Sequence, residues 1–233
     1  MQRTKRLVEK VSLIATLLRK ITSPLTKMVF RGSQKYWESR YAAGGTSGAG
    51  SYGRLAEFKA QIVNSFVRDY KISSVIEFGC GDGNQISLAN YPAYIGLDVS
   101  KTAIKLCKER FGNDVTKSFF LYEPDCFVDG HLVFKAELAL SLDVIYHLVE
   151  DGTFHLYMNH LFSAANKFVI IYSTDADINR LFQKPHVRHR NFSEWVKKNL
   201  PEWKLLRKIP NECSLEIDNQ TQLCADFFIY ERA

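Results

Sequence analysis

The chain has 233 residues, of which 46% are hydrophobic and 24% charged. These values exclude a disordered chain, a collagen-like chain and a multi-span membrane protein, and the length suits one domain with an appendage. The five cysteines, Cys80, Cys107, Cys126, Cys213 and Cys224, are odd in number, widely spread and without a C-x-x-C pair. That pattern disfavours a zinc ribbon or a disulfide scaffold and favours a reducing, cytoplasmic compartment.

The net charge is +6, but it is unevenly placed. Residues 1–31 hold eight Lys or Arg and one acid, whereas the other 202 residues hold 23 bases and 24 acids. The main domain is therefore nearly neutral, and no nucleic-acid partner is expected.

In chain order, residues 5–27 read as a helix. Leu7, Val11, Ile14, Leu18, Ile21 and Leu25 recur at steps of four and three and share one face. The longest uncharged run, 11–18, is too short to span a bilayer. Glu9 and Lys10 interrupt the apolar region, which argues against a secretory signal. Two uses fit a basic amphipathic segment over 1–31: peripheral contact with the anionic inner face of a membrane, or packing on its own domain or on a second copy as a homodimer.

Residues 44–53 contain five of the thirteen glycines, and residues 32–54 form a glycine-rich lid or linker. Aromatics and arginines flank the glycines, and Tyr52 and Arg54 are candidate acceptor contacts of such a lid.

From Leu55 onward the pattern alternates. Leu55, Phe58, Ile62, Phe66 and Val67 give a helical face. Strands are expected at 74–78, 93–97, 119–122, 138–142 and 168–172, with helices at 101–111 and 154–165. This alternation implies an α/β fold, a doubly wound, mostly parallel sheet with helices on both faces. Residues 203–209 and 225–230 read as two terminal strands paired antiparallel at the sheet edge. The domain would occupy 55–233, with an insertion near 175–200.

The informative stretch is Val75-Ile-Glu-Phe-Gly-Cys-Gly-Asp-Gly-Asn-Gln85. A strand runs into Gly79, Gly81 and Gly83, and a helix should follow. Ligands of such sheets bind at the carboxyl ends of strands, where glycines admit close approach. Position 84 is Asn, so the G-x-G-x-x-G dinucleotide pattern fails, and no G-K-[ST] follows. Glu77 would repel a pyrophosphate but suits a cation. Asp98 ends the next strand, where its carboxylate can accept both hydroxyls of a ribose. A cationic amine, close loop contact and a ribose together describe S-adenosyl-L-methionine.

On these residues the chain resembles the class I S-adenosylmethionine-dependent methyltransferases. Glu77-x-Gly79-x-Gly81-x-Gly83 matches their first motif, Leu97-Asp98 their second, and Ala139-Leu-Ser-Leu-Asp-Val-Ile-Tyr-His-Leu148 their fourth-strand motif. The resemblance covers residues 55–175 well and implies a seven-stranded sheet with the last strand antiparallel. It implies cofactor contacts from Glu77, Gly79, Cys80, Gly81, Gly83, Asp98, Val99 and Ser141, with Asp125, or failing it Asp114, at the adenine. Tyr36-Trp-Glu-x-Arg-Tyr-x-x-Gly-Gly, with Gly-Ser-Tyr-Gly-Arg54, looks like a bacterial subgroup associated with surface-glycan genes. That points to a small-molecule or glycan acceptor.

Methyl transfer to a hydroxyl gains from a base. His147, four residues after Asp143, is the candidate, and the two would share a face if that segment were helical. Asp143, His147 and His155 lack a clear metal-ligand pattern, so no metal is expected. In the insertion, Arg188, His189 and Arg190 would hold an acidic group of the acceptor, while Phe192 and Trp195 would stack on a ring.

Overall fold

The computed structural model describes residues 30–179, 183–211 and 224–233. The basic segment and the helix expected over 5–27 lie outside the described residues, apart from Phe30 and Arg31. Arg31–Ala233 forms one compact unit. Among the described residues, no helix is long and apolar enough to cross a membrane.

Helix α1 (Ser33–Ala42) precedes α2 (Gly53–Asp69). Then follow β1 (Val75–Phe78), β2 (Tyr94–Asp98), α3 (Lys101–Phe111), β3 (Lys117–Leu121), β4 (Ala136–Leu142), α4 (Asp151–Ser163) and β5 (Ala165–Ser173). The chain ends with α5 (Phe192–Asn199), β6 (Trp203–Ile209) and β7 (Asp226–Arg232). The strands form one seven-stranded sheet in the order β3-β2-β1-β4-β5-β7-β6. All neighbours from β3 to β5 pair in parallel, and β7 runs antiparallel to both β5 and β6. Strand order reverses between β1 and its neighbours β2 and β4, and the loops leaving these three strands converge on one end of the sheet.

Two apolar layers cover the sheet. Phe154, Tyr157, Met158, Leu161 and Phe162 of α4 pack on one face with Phe192 and Trp203. Val63, Phe66 and Val67 of α2 pack on the other with Ile104 and Cys107 of α3. The central strands are buried on both faces, which explains their unbroken apolar runs.

Three expectations are corrected here. No α-helix follows the glycine loop; a single 3₁₀ turn at Ile86–Leu88 takes its place. Only ten residues separate Gly83 from Tyr94, and Pro92 steers Tyr91 away from helical angles. Asn64 of α2 completes the backbone bonding instead, donating to Leu88 O and accepting from Asn90 N, both at 2.9 Å. Second, the segment leaving β4 is not an α-helix. Asp143 adopts φ +62° and a 3₁₀ turn, Ile145–His147, follows. Third, the buried face of α2 is Ala56, Lys59, Ala60, Val63, Phe66 and Val67, a rotation from the face expected. Leu55, Phe58 and Ile62 lie at its half-buried margin.

Candidate active site

Where β1, β2 and β4 end, one cavity of about 230 Å³ opens. Its floor is the glycine loop. Gly81 has φ +59°, and a Cβ there would stand 2.3 Å from Ser47 Oγ. Glycine is the residue that allows both this angle and this approach. At Gly79, φ +88°, a Cβ would meet Val144 at 2.4 Å. Asp98 closes the loop from the side: Oδ2 accepts from the Gly81 amide at 2.9 Å and Oδ1 from Ser100 N at 2.8 Å. Burial pushes the Asp98 carboxyl up to about 6, partly offset by those two amides. Glu77 accepts the Tyr94 hydroxyl at 2.7 Å, and burial raises it to about 7.

The glycine-rich segment after α1 lies directly over this loop. Ser47 N donates to Asp82 Oδ2 at 2.9 Å, and Asp82 N donates back to Ser47 Oγ at 3.0 Å. Asn84 Nδ2 reaches Ser51 O at 2.7 Å. Glu38 of α1 caps the start of α3, accepting from Ser100 Oγ at 2.6 Å and Thr102 Oγ1 at 2.7 Å. Ser47 and Ser51 thereby become walls of the cavity.

Asp143 lines the cavity with both carboxylate oxygens engaged. Oδ2 accepts from Lys59 Nζ at 2.5 Å and Oδ1 from Tyr146 OH at 2.8 Å. His147 stands at the other end, among Trp37, Tyr146 and His186. Its Nδ1 lies 2.9 Å from the His186 carbonyl, which can only accept, so Nδ1 carries the proton and Nε2 holds the free lone pair. Desolvation lowers its pKa to about 4, so the imidazole is neutral at pH 7.

The structure brings together Glu77, Gly79, Cys80, Gly81, Asp98, Val99, Asp125, Asp143 and His147 on this one cavity. Other residues singled out in the sequence stand elsewhere. Gly83 packs under the loop, where a Cβ would press on Phe111 and Cys107. Ser141 is buried behind the wall, 2.7 Å from the Tyr157 hydroxyl. Asp114 is bonded to Thr116 and Lys117 beyond the cavity. Tyr52 braces the loop through Asp82 Oδ2 at 2.9 Å, and Arg54 is exposed at the start of α2.

The insertion is corrected most. Arg190 is buried, donating to Leu148 O, to Val149 O at 2.8 Å and to Asp151 at 3.0 Å. Arg188 donates to Val149 O at 3.0 Å and pairs with Asp151. His189 Nδ1 bonds Thr174 Oγ1 at 2.7 Å. Arg188 and Arg190 fasten the insertion to the segment after β4 and His189 to the end of β5, and none of the three lines the cavity. Phe192 is fully buried against Phe228, and Trp195 packs on Phe154 and His155.

Lys59 and Gln85 also line the cavity without having been singled out as site residues, and Trp37 and Ser47 bring the expected lid segment to it. Lys59 sits on the buried face of α2 with Ala56, Ala60 and Val63.

No protein-family model matches the chain, and no curated protein matches it. Solved structures do. The methyltransferase domain of bacterial CtHen1 superposes with TM-score 0.61 at 19% identity, covering 77% of this chain and 100% of that one. The N-methyltransferase NodS of Bradyrhizobium japonicum, in complex with S-adenosyl-L-homocysteine, gives TM-score 0.67 at 13% identity, covering 86% and 98%. Magnesium protoporphyrin IX methyltransferase of Synechocystis gives 0.57 at 14%, covering 90% and 99%. The fold is that of the class I S-adenosylmethionine-dependent methyltransferases. In this methyltransferase fold the cavity stands at the carboxyl ends of the central strands, where the order reverses.

Proposed function

We propose that the chain transfers a methyl group from S-adenosyl-L-methionine to a hydroxyl oxygen of a small-molecule or glycan acceptor. The observation that carries this reading is the continuity of one cavity from Asp98 and Gly81 to His147. The residues present fit the cofactor. Asp98 keeps lone pairs for two ribose hydroxyls beyond the two amides it already accepts. Glu77 supplies negative charge to a cationic ligand, and Asp125 stands beside Tyr122 on the same wall. When bound, the cofactor supplies an electrophilic sulfonium methyl.

The protein's own contribution is alignment, exclusion of water and one proton site. The segment 44–52 acts as the lid over the glycine loop, latched by Ser47 and Tyr52 on Asp82. His147 Nε2 accepts the acceptor's hydroxyl proton. The His186 carbonyl fixes the tautomer that leaves this nitrogen free. Asp143, with both oxygens occupied, is a positioning residue for Tyr146 and the His147 turn rather than a base.

The neighbours differ in their substrates, among them a small RNA methyltransferase and a magnesium protoporphyrin IX methyltransferase. The near-neutral charge of the chain beyond residue 31 favours a small acceptor over a polyanion. The test is incubation of the full chain with methyl-labelled S-adenosylmethionine and a panel of sugars, phenols, amines and RNA. Label recovered as a methyl ether supports the reading, and label on amine nitrogen or RNA overturns its acceptor half.

A further inference from the structure

We infer that Arg31 and Lys35 form a receptor for one anionic group, a carboxylate or a phosphate, carried by the methyl acceptor at the His147 end of the cavity. This rests on the hydroxyl-acceptor reading above and narrows its substrate class. It moves the acidic contact expected of Arg188, His189 and Arg190 to the start of α1.

That start is clamped to the turn that carries His147. The Ser33 hydroxyl lies 2.7 Å from the His147 carbonyl and accepts from Val149 N at 3.1 Å. Trp37, one turn along α1, meets the His147 ring edge-on at 4.9 Å. Arg31 and Lys35 stand on either side of Ser33 in the chain, are exposed, and both line the cavity. They therefore belong to its His147 end.

The cations on this cavity are Lys59, Arg31 and Lys35. Asp143 meets Lys59 at 2.5 Å. Among the described residues no carboxylate pairs with Arg31 or Lys35. The acid beside them is already engaged: Glu150 Oε1 accepts from Ser33 N at 2.9 Å, and Oε2 lies 2.7 Å from Ser33 Oγ. Gly32, at φ +108°, passes so close to this carboxylate that a Cβ would stand 3.1 Å from Oε1. Arg40 adds charge near His147 and His186, donating to Thr46 O and the Tyr36 hydroxyl rather than to an acid. Lys184 adds charge near His186. The chain beyond residue 31 is nearly neutral as a whole, so this surplus is local.

A single anion fits it. The Arg31 fork and the Lys35 point charge suit carboxylate or phosphate oxygens. Such an anion also serves the proton transfer. Desolvation, with the charge of Arg40 adding to it, lowers His147 to about 4, which makes it a weak base. Negative charge brought in by the acceptor favours the imidazolium. A cationic amine would oppose it, and a neutral acceptor would leave the surplus unmatched.

The test titrates the full chain, saturated with S-adenosylhomocysteine, with glucuronate, a glucose phosphate, glucose and glucosamine. NMR signals of the Trp37 indole and the His147 ring report binding. At least one of the two anionic sugars should bind more tightly than glucose by roughly fivefold or more, and glucosamine should bind no better than glucose. Which anion binds names the group, and added salt should erode the preference. The double variant Arg31→Gln, Lys35→Gln should lose the preference, and its uptake of S-adenosylhomocysteine reports that it is folded. Equal affinity of wild type for all four sugars, or binding of none, overturns the inference while leaving methyl transfer to a neutral hydroxyl standing, and this measurement needs no variant. A preference that survives in the folded double variant overturns the assignment to Arg31 and Lys35. A wild type that takes up no S-adenosylhomocysteine refutes the cofactor reading itself, and this inference with it.

Discussion

The Gly81 amide donates to Asp98 Oδ2 at 2.9 Å, tying the glycine loop to the acid that ends the neighbouring strand. The bond gives Asp98 two tasks: it holds the loop at its positive φ and presents the remaining lone pairs to the cavity. Asp98→Ala should therefore weaken S-adenosylmethionine binding at about 1.5–3 kcal/mol per lost charged hydrogen bond. Asp98→Asn should recover part of the loop geometry but less of the affinity. Calorimetric titration of the two variants separates these effects, and equal affinity to wild type in both would remove Asp98 from the site.

Glu77 makes ligand-free stability depend on pH. Its folded pKa, about 7, lies above its ordinary value of 4.5, so the folded state holds the proton more tightly. That contribution is fully present below pH 4.5 and is lost as pH rises through 7. Glu77→Gln lacks the loss, so its stability relative to wild type should grow across this window, by on the order of 3 kcal/mol. Denaturant unfolding at pH 4.5 and pH 8 measures it. The same variant should bind S-adenosylmethionine more weakly at pH 8.

His147 acts in the opposite sense. Burial lowers it from 6.5 to about 4, so the unfolded state binds the proton more tightly. Stability from this group is present above pH 6.5 and is lost as pH falls toward 4. His147→Gln should flatten that acid limb in an unfolding series between pH 4 and 7. With an acceptor in hand, His147→Ala should lower turnover by roughly 10²–10⁴-fold while sparing cofactor affinity.

Arg190 offers a test between bracing and binding. Its guanidinium serves Leu148 O, Val149 O and Asp151, and lies over the Phe154 ring at 4.7 Å. Arg190→Met should lower the melting temperature, costing about 1.5–3 kcal/mol for the charged hydrogen bonds, with cofactor affinity unchanged in the folded protein. A stable variant would return Arg190 to the acceptor contacts expected from its charge.

Much of this architecture is legible in local pattern. Helix α3 falls on the residues that periodicity assigns it, because it has an apolar face of the proper period and clear ends. Glu77, the glycines and Asp98 are legible because the backbone chemistry needs those residue types at those places. The missing helix after Gly83 is not, since the bonds that replace it come from Asn64 on another element. Lys59 is hidden for a related reason: a lysine in a helix reads as a solvent face until its partner Asp143, 84 residues away, is seen. Arg188 and Arg190 mislead in the reverse direction. Their charge suggests an anionic ligand, while backbone carbonyls after β4, which sequence does not reveal, consume it.

The central claim is that the cavity joining Asp98 to His147 is an S-adenosylmethionine site. Calorimetric titration of the full chain with S-adenosylmethionine and S-adenosylhomocysteine tests it most directly. The account predicts one-site binding of both, with affinity falling as pH drops below about 6–7, where Asp98 and Glu77 take up protons. It also predicts marked weakening in Asp98→Ala. Absence of heat and of any thermal shift with either ligand at millimolar concentration would contradict it.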